Sequence, residues 1–171
     1  MFAGGFGHTY GANGIWSWTL DRELADPWCC GLRHTWYEAM ALPGSSQMQY
    51  LRRLIESRPF LTRIPDQSVV VSGAGSGDTR VQATRGSEGS YAFVYITDGH
   101  AVTVDMTKIV CGDVRAWWYD PRAGATTSIG TFGNEGTRTF TPPSSGRGQD
   151  WVLVLDDVTQ GFTPPGEEPE R

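Results

Sequence analysis

The chain has 171 residues, of which 39% are apolar, and its 14 Lys and Arg against 19 Asp and Glu leave a formal net charge of −5. This length allows one domain, or one domain with a piece of another. An acidic chain disfavours nucleic acid as the partner, because phosphate binding requires a basic surface. No run approaches the roughly 20 apolar residues of a membrane-spanning helix, so we expect no membrane partner either.

The three cysteines, Cys29, Cys30 and Cys111, indicate neither a metal site nor a disulfide framework. Their spacing matches no metal-binding motif, and adjacent cysteines rarely bridge each other. We therefore expect ordinary thiols, no metal and no cofactor. The residues after Met1 contain no basic region and no apolar segment, so no signal peptide is predicted, and the localisation stays open.

The first 60 residues are predicted to be irregular at the start and helical at the end. Residues 1–18 mix glycine with aromatic side chains, which indicates the end of a strand that runs into an irregular loop. Residues 34–42 predict a short helix that Pro43 and Gly44 end. The pattern then predicts a longer helix over 46–57. Ser46 and Gln49 have the spacing of a capping box at its start. Its apolar stripe is formed by Met48, Leu51, Leu54 and Ile55.

From about residue 66 the hydrophobic period changes from 3.6 to 2, which is typical of strands. Eight strands are predicted, at 68–72, 79–85, 90–97, 101–106, 113–119, 126–132, 137–141 and 151–157. Short strands every 8 to 12 residues, joined by glycine-rich turns, favour an antiparallel sandwich or barrel. The fold class predicted here is therefore mainly β.

Three of these strands, 90–97, 113–119 and 151–157, are apolar on both faces. The outer face of a two-layer sandwich is normally solvated, so these strands require a third layer. Helix 46–57 is the first candidate to cover them, with segment 34–42 or a neighbouring domain as further candidates. Alternatively, Tyr and Trp side chains tolerate partial exposure on the outer face.

The loop from His8 to Trp16 is the most site-like segment, because it sets an imidazole, a phenol, a carboxamide and an indole within nine residues. Polar groups can bond sugar hydroxyls, and an indole can pack on the apolar face of a pyranose. The alternative is an aromatic core loop with satisfied polar tips. Glycoside hydrolysis would also need two carboxylic acids about 5 to 10 Å apart. No convincing pair is found among the nearest acids, Asp21, Glu23, Asp26, Glu38 and Glu56.

Several segments together resemble the C-terminal half of a bacterial glycoside-hydrolase family. They are GGFGHTYGANGIWSW, LPGSSQMQYLRRLIESRPF, IPDQSVVV, ATRGSEGSYAFVY, VRAWWYDPRAG and DWVLVLDD. That family joins an apiosidase-like (β/α)₈ barrel to a C-terminal sandwich labelled as a collagen-binding domain of a collagenase. The resemblance extends from residue 2 to about residue 165.

The resemblance implies an antiparallel β-sandwich of about eight strands, preceded by a strand-loop-helix remnant of a (β/α)₈ barrel. The implied domains are the barrel remnant at 1–63, the sandwich at 64–165 and a flexible tail at 166–171. Carried over from the family, the substrate-binding residues at the C-terminal mouth of the barrel would be His8, Tyr10, Asn13 and Trp16. The family's catalytic carboxylates come from earlier strands, which have no counterpart here.

The expected function is therefore that of an accessory module, non-catalytic on its own, that braces a barrel or binds carbohydrate. One alternative is a module that binds collagen or another extended polymer through aromatic side chains on the two-sided strands. Another is a truncated fragment that requires a barrel domain on another chain as its partner.

Overall fold

The computed structural model describes residues 1–5, 7–21, 34–110 and 112–167. The Asp-Pro loop at 26–27, all three cysteines and the end of the tail lie outside these residues. The chain forms two compact units, one of residues 7–49 and one that joins residues 1–6 to residues 50–171. The predicted domain boundaries at 63/64 and 165/166 stay a prediction.

Three α-helices are described: α1 (Asn13–Trp16), α2 (Trp36–Met40) and α3 (Pro43–Glu56). The prediction that α3 begins with a capping box at Ser46 is wrong. The helix begins at Pro43, because proline fits the first turn, where its missing N–H has no bond to lose. The hydroxyl of Ser45 donates to the carbonyls of Met40 and Leu42 at 2.6 and 2.8 Å, which joins the end of α2 to α3.

The strand expected at the start of the chain is not formed within residues 1–5 and 7–21, which contain turns and α1 instead. A barrel strand needs a neighbour on each side for its backbone hydrogen bonds. Among the described residues, no strand pairs with the segment that resembles a last barrel strand, which gives the physical reason for the difference.

Nine strands are described, and all their pairings are antiparallel. They form a six-stranded sheet of order β1-β3-β4-β9-β6-β7 and a three-stranded sheet of order β2-β5-β8. The mainly β, sandwich-like fold is thus confirmed, and the unpredicted strand is the three-residue β1. The strands are β1 (Arg63–Pro65), β2 (Val70–Ser72), β3 (Gln82–Gly86), β4 (Tyr91–Ile96), β5 (Val102–Asp105), β6 (Asp113–Asp120), β7 (Ala125–Gly133), β8 (Thr137–Phe140) and β9 (Trp151–Asp157).

The main core lies between the two sheets and follows the period of the strands. In β5, Val102 and Val104 are buried in it, while Thr103 and Asp105 are half-buried on the other face. The large sheet contributes one set of alternate side chains from each of its three central strands. These side chains are Ala92, Val94, Ile96, Val114, Ala116, Trp118, Leu153 and Leu155.

A second core covers the opposite face of the large sheet, as the two-sided strands predicted. Its sheet residues lie side by side across β4, β9 and β6, because Val154 is opposite both Phe93 and Trp117. Leu54 and Ile55 of α3 pack onto this face, and Phe2 joins them. The large sheet therefore lies between two apolar layers. Among the described helices, none is long and apolar enough to cross a membrane.

Candidate functional site

The unit of residues 7–49 is built around a close approach of α1 to the start of α2. A Cβ atom on Gly14 would lie 2.2 Å from the carbonyl oxygen of His34, so no larger residue fits there without movement. The backbone N–H of Trp36 donates to the carbonyl of Thr19 at 2.9 Å. Thr35 and Glu38 cap the first turn of α2 reciprocally, and the backbone N–H and the hydroxyl of Thr35 each donate to the Glu38 carboxylate at 2.9 Å.

The four predicted substrate-binding residues differ in their surroundings. His8 is exposed, and Trp16 is 57% exposed. Asn13 and Trp16 are the first and last residues of α1. Tyr10 is half-buried, and its hydroxyl donates to the carbonyl of Ala39 at 3.1 Å, so it is tied to α2. Their role in binding substrate stays a prediction.

Sequence reasoning missed a set of rings in the same unit, Trp18, Trp36 and Tyr37, which we call the aromatic cluster. The ring centroids of Trp18 and Trp36 are 6.2 Å apart, and those of Trp36 and Tyr37 are 5.6 Å apart. Trp18 is 73% exposed and Tyr37 is 54% exposed. The paired aromatics in WSW and TWYE were a visible signal, but only the fold brings residues 18 and 36 together.

A buried ion pair joins Arg58, which lies two residues after the end of α3, to Asp156 in β9 of the large sheet. The Arg58 guanidinium donates two hydrogen bonds to the Asp156 carboxylate, from Nε at 2.8 Å and from Nη2 at 2.7 Å. The side chains are 0% and 4% exposed. The indole N–H of Trp117 also donates to Asp156, at 3.1 Å, and the ring of Phe162 lies 4.7 Å from the Arg58 guanidinium carbon.

Burial is the largest cause of the pKa shifts of the ionisable groups around the second core. Burial raises the pKa of Asp156, and the hydrogen bonds from Arg58 and Trp117 oppose this rise. Burial also raises the pKa of Tyr91, Tyr95 and Tyr119 to about 12 each, so these phenols stay neutral. This face of the sheet therefore carries neutral phenols around a buried carboxylate that Arg58 and Trp117 bond.

Several of the described carboxylates are engaged in structural contacts. A glycosidase acid needs an accessible carboxyl with a raised pKa. Asp156 has the raised pKa but is enclosed by Arg58 and Trp117. Asp66 and Asp120 are each paired with an arginine, and hydrogen bonds outweigh burial to hold the pKa of each below its usual value.

Of the five acids predicted to lie nearest the site, Glu38 caps α2, and Glu56 pairs with Arg52 at 2.9 Å. Asp21 is exposed, whereas Glu23 and Asp26 lie outside the described residues. Within the described part of the chain, no group of three or more His, Cys, Asp and Glu is placed to hold a metal ion.

The fold and its two cores are those of a glycoside-hydrolase-associated module, and comparisons with known proteins agree. A solved structure titled "Glycoside hydrolase" matches with a TM-score of 0.80 and 38% identity, over 92% of this chain and 34% of that one. A glycoside hydrolase family 5 structure from Bacteroides vulgatus matches with a TM-score of 0.82 and 33% identity, over 95% of this chain and 35% of that one. The chain thus spans about a third of the length of these proteins. No curated protein matches the chain.

Residues 64–156 match the family model described as "Putative collagen-binding domain of a collagenase". The chain belongs to this family. Residues 1–62 match a second model, described as "Apiosidase-like, catalytic domain". The resemblance to the C-terminal part of an apiosidase-like glycoside hydrolase is thus confirmed.

Proposed function

We propose that the sandwich is a non-catalytic accessory module that braces the catalytic part of a glycoside hydrolase. The observation that supports this proposal most strongly is the second core. Phe2, Leu54 and Ile55 come from the segment that matches the catalytic model, and they pack on aromatic side chains of the segment that matches the sandwich model. The proposed parts are the barrel segment at 1–63 and the sandwich at 64–165, with 166–171 as a tail.

Hydrogen bonds between the same two segments also support the bracing role, because they fix the position of one segment on the other. The Tyr119 hydroxyl donates to the carbonyl of Tyr50 at 2.8 Å, and the Tyr91 hydroxyl donates to that of Pro59 at 3.1 Å. Within the first segment, Arg63 of β1 donates to the carbonyls of Met1 and Gly5 at 2.7 and 3.1 Å, which holds the start of the chain next to the large sheet. Such bonds orient packed elements as well as stabilise them.

Removal of the first segment tests this role. A chain of residues 64–171 would expose the apolar face of the large sheet, so we expect it to bind a hydrophobic dye and to aggregate. The 171-residue chain should remain monomeric and bind little dye. A monomeric 64–171 chain with the same melting temperature as the longer chain would refute the bracing role.

A direct assay tests the proposed lack of catalysis. Many of the described carboxylates, such as Glu38, Asp66 and Asp156, are engaged in caps or ion pairs, so we expect the chain to give no turnover on aryl glycosides or on pectic oligosaccharides. Hydrolysis that persists in a highly purified sample, and that loss of a single carboxylate abolishes, would refute the proposal.

The family description favours a second candidate, a module that binds collagen or a similar extended polymer. Of the aromatic side chains on the two-sided strands, Tyr91, Trp118 and Tyr119 are each no more than 5% exposed, whereas Tyr95 and Trp117 are half-buried. Pull-down on fibrillar collagen and on insoluble polysaccharides separates the candidates. Specific retention on collagen alone would favour polymer binding, whereas retention on neither matrix is expected for a bracing module.

The third candidate is a fragment that acts only with a barrel supplied by another chain. In that case His8, Tyr10, Asn13 and Trp16 would form part of a substrate site only after assembly. Co-purification of the chain with a barrel that lacks its last strand and helix would favour this candidate. If the chain stays alone in such a mixture, the fragment candidate fails.

A further inference from the structure

We propose that residues 161–167, which we call the strap, hold the end of α3 against the large sheet. The strap follows β9 and a short 3₁₀ turn, Val158–Gln160, and it lies beyond both matched segments, 1–62 and 64–156. It contacts the two tyrosines whose hydroxyls bind the first segment, Tyr91 and Tyr119. The inference rests on the proposed bracing function and adds a further part to it.

Phe162 anchors the start of the strap. Its ring meets the Tyr91 ring edge to face at 87°, with the centroids 6.4 Å apart, and it packs on the second core. The ring also lies 4.7 Å from the guanidinium carbon of Arg58. The flat face of a guanidinium stacks on aromatic rings while its edge donates hydrogen bonds. Phe162 therefore covers Arg58 while Arg58 binds Asp156.

Pro165 and Gly166 anchor the other end of the strap. Pro165 is buried, and its carbonyl accepts a hydrogen bond from the Thr126 hydroxyl of β7 at 2.7 Å. A Cβ atom on Gly166 would lie 2.7 Å from Cε2 of Tyr119, so the strap backbone lies directly against that ring. Gly166 also has φ of +82°, a conformation that favours glycine. The strap thus extends from Tyr91 in β4 to Thr126 in β7.

The two tyrosines connect the strap to the end of α3. The Tyr119 hydroxyl donates to the carbonyl of Tyr50 in α3, and the Tyr91 hydroxyl donates to that of Pro59, three residues after α3 ends. Each tyrosine therefore binds the first segment through its hydroxyl and contacts the strap through its ring. Loss of the strap would leave both rings free to change orientation, which would weaken both hydrogen bonds.

The sequence of the strap lowers the cost of ordering it. Pro164 and Pro165 restrict the backbone before folding, so less conformational entropy is lost when the strap docks. The N–H of Glu167 donates to the carbonyl of Pro164 at 3.1 Å, which closes a turn around Gly166. The alternative is a tail that lies on the sheet without stabilising α3.

Hydrogen exchange of the backbone amides in the 171-residue chain tests the proposal. We expect Phe162→Ala to speed exchange of the amides of residues 53–56 about tenfold relative to the amides of β4, because α3 loses the contact that covers Arg58. Thr163→Ala is the matched control, since Thr163 is half-buried next to Phe162 and should change this ratio less than about twofold. Gly166→Ala, at the other anchor, should act like Phe162→Ala, because its new methyl group would displace the Tyr119 ring.

Two results would overturn the proposal. The first is an unchanged ratio in Phe162→Ala or in Gly166→Ala, which would show that the strap does not act on α3 as one unit. The second is an effect of Thr163→Ala as large as that of Phe162→Ala. The wild-type chain separates this proposal from the bracing function. If its α3 amides already exchange much faster than those of β4, the bracing function fails. If the two rates match in the wild-type chain and in every variant, only the strap fails.

Discussion

Arg58, two residues after α3, is joined to the large sheet by its buried ion pair with Asp156. Loss of its guanidinium would leave the Asp156 carboxylate buried without its cation. We expect Arg58→Ala to lower the free energy of unfolding by about 3–5 kcal/mol. The loss should shrink as the pH falls, because protonated Asp156, whose pKa burial already raises, needs no cation.

Arg52 supplies the matched control for Arg58 on the same part of the chain. Its pair with Glu56 is 77% and 46% exposed, so Arg52→Ala should change the free energy of unfolding by no more than about 0.5 kcal/mol. Urea unfolding of both variants measures the difference. Equal effects of the two substitutions would show that the buried pair does not anchor α3.

His100 should make the stability of the sandwich depend on pH near neutrality. Its ring nitrogens contact the Gly73 carbonyl at 2.8 Å and the Asp98 carboxylate. The bond to Gly73, followed by the bond to Asp98, raises the pKa of His100 above the usual 6.5. Because the folded chain holds the proton more tightly, this contribution is complete below the usual pKa and is lost as the pH rises through the raised value.

The measurement is urea unfolding of the wild-type chain and of His100→Gln at about pH 5.5 and about pH 8.5. We expect the wild-type chain to be more stable than the variant at the lower pH and this advantage to shrink at the higher pH. Asp98 does not confound the comparison, because hydrogen bonding to His100 lowers its pKa in the wild-type chain, and in the variant both pH values lie well above the ordinary pKa of an aspartate. An advantage that grows with pH would contradict this account.

At the scale of elements, α3 stabilises the sheet through a few apolar side chains. Leu54 is 1% exposed in the second core, whereas Leu61, seven positions later, is 78% exposed. We expect Leu54→Ala to lower the free energy of unfolding by about 2–5 kcal/mol, since it leaves a cavity. Leu61→Ala should change it by less than about 0.5 kcal/mol. Thermal or urea unfolding of the pair tests the claim, and a small effect of Leu54→Ala would argue against a tight third layer.

The elements also show how far the sequence predicts the fold. Eight strands and the third layer were predictable, because period-2 alternation and two-sided apolar strands follow directly from burial. Strand β1 was not, because it has only three residues and ends at Pro65 on a sheet edge. The start of α3 at Pro43 could not be predicted from the sequence, because a proline can either end one helix or begin the next.

The site residues were less predictable, because they depend on contacts between distant positions. Arg58 and Asp156 are separated by 98 residues, and no local pattern pairs them. The positive φ of Trp18 depends on the surrounding backbone bonds and cannot be read from a tryptophan. The loop at 8–16 was recognisable by its composition, whereas the bond from Tyr10 to Ala39 required the fold.

At the scale of the whole molecule, we expect the end of α3 and the sandwich to unfold together as one cooperative unit. Native-state hydrogen exchange measures this most directly, since it gives an opening free energy for each amide. We expect the amides of residues 53–56 to exchange with the same free energy, within about 1 kcal/mol, as those of β4 and β9. Exchange of these α3 amides at a much lower free energy, with β4 and β9 still protected, would contradict the claim that the sandwich braces the catalytic segment.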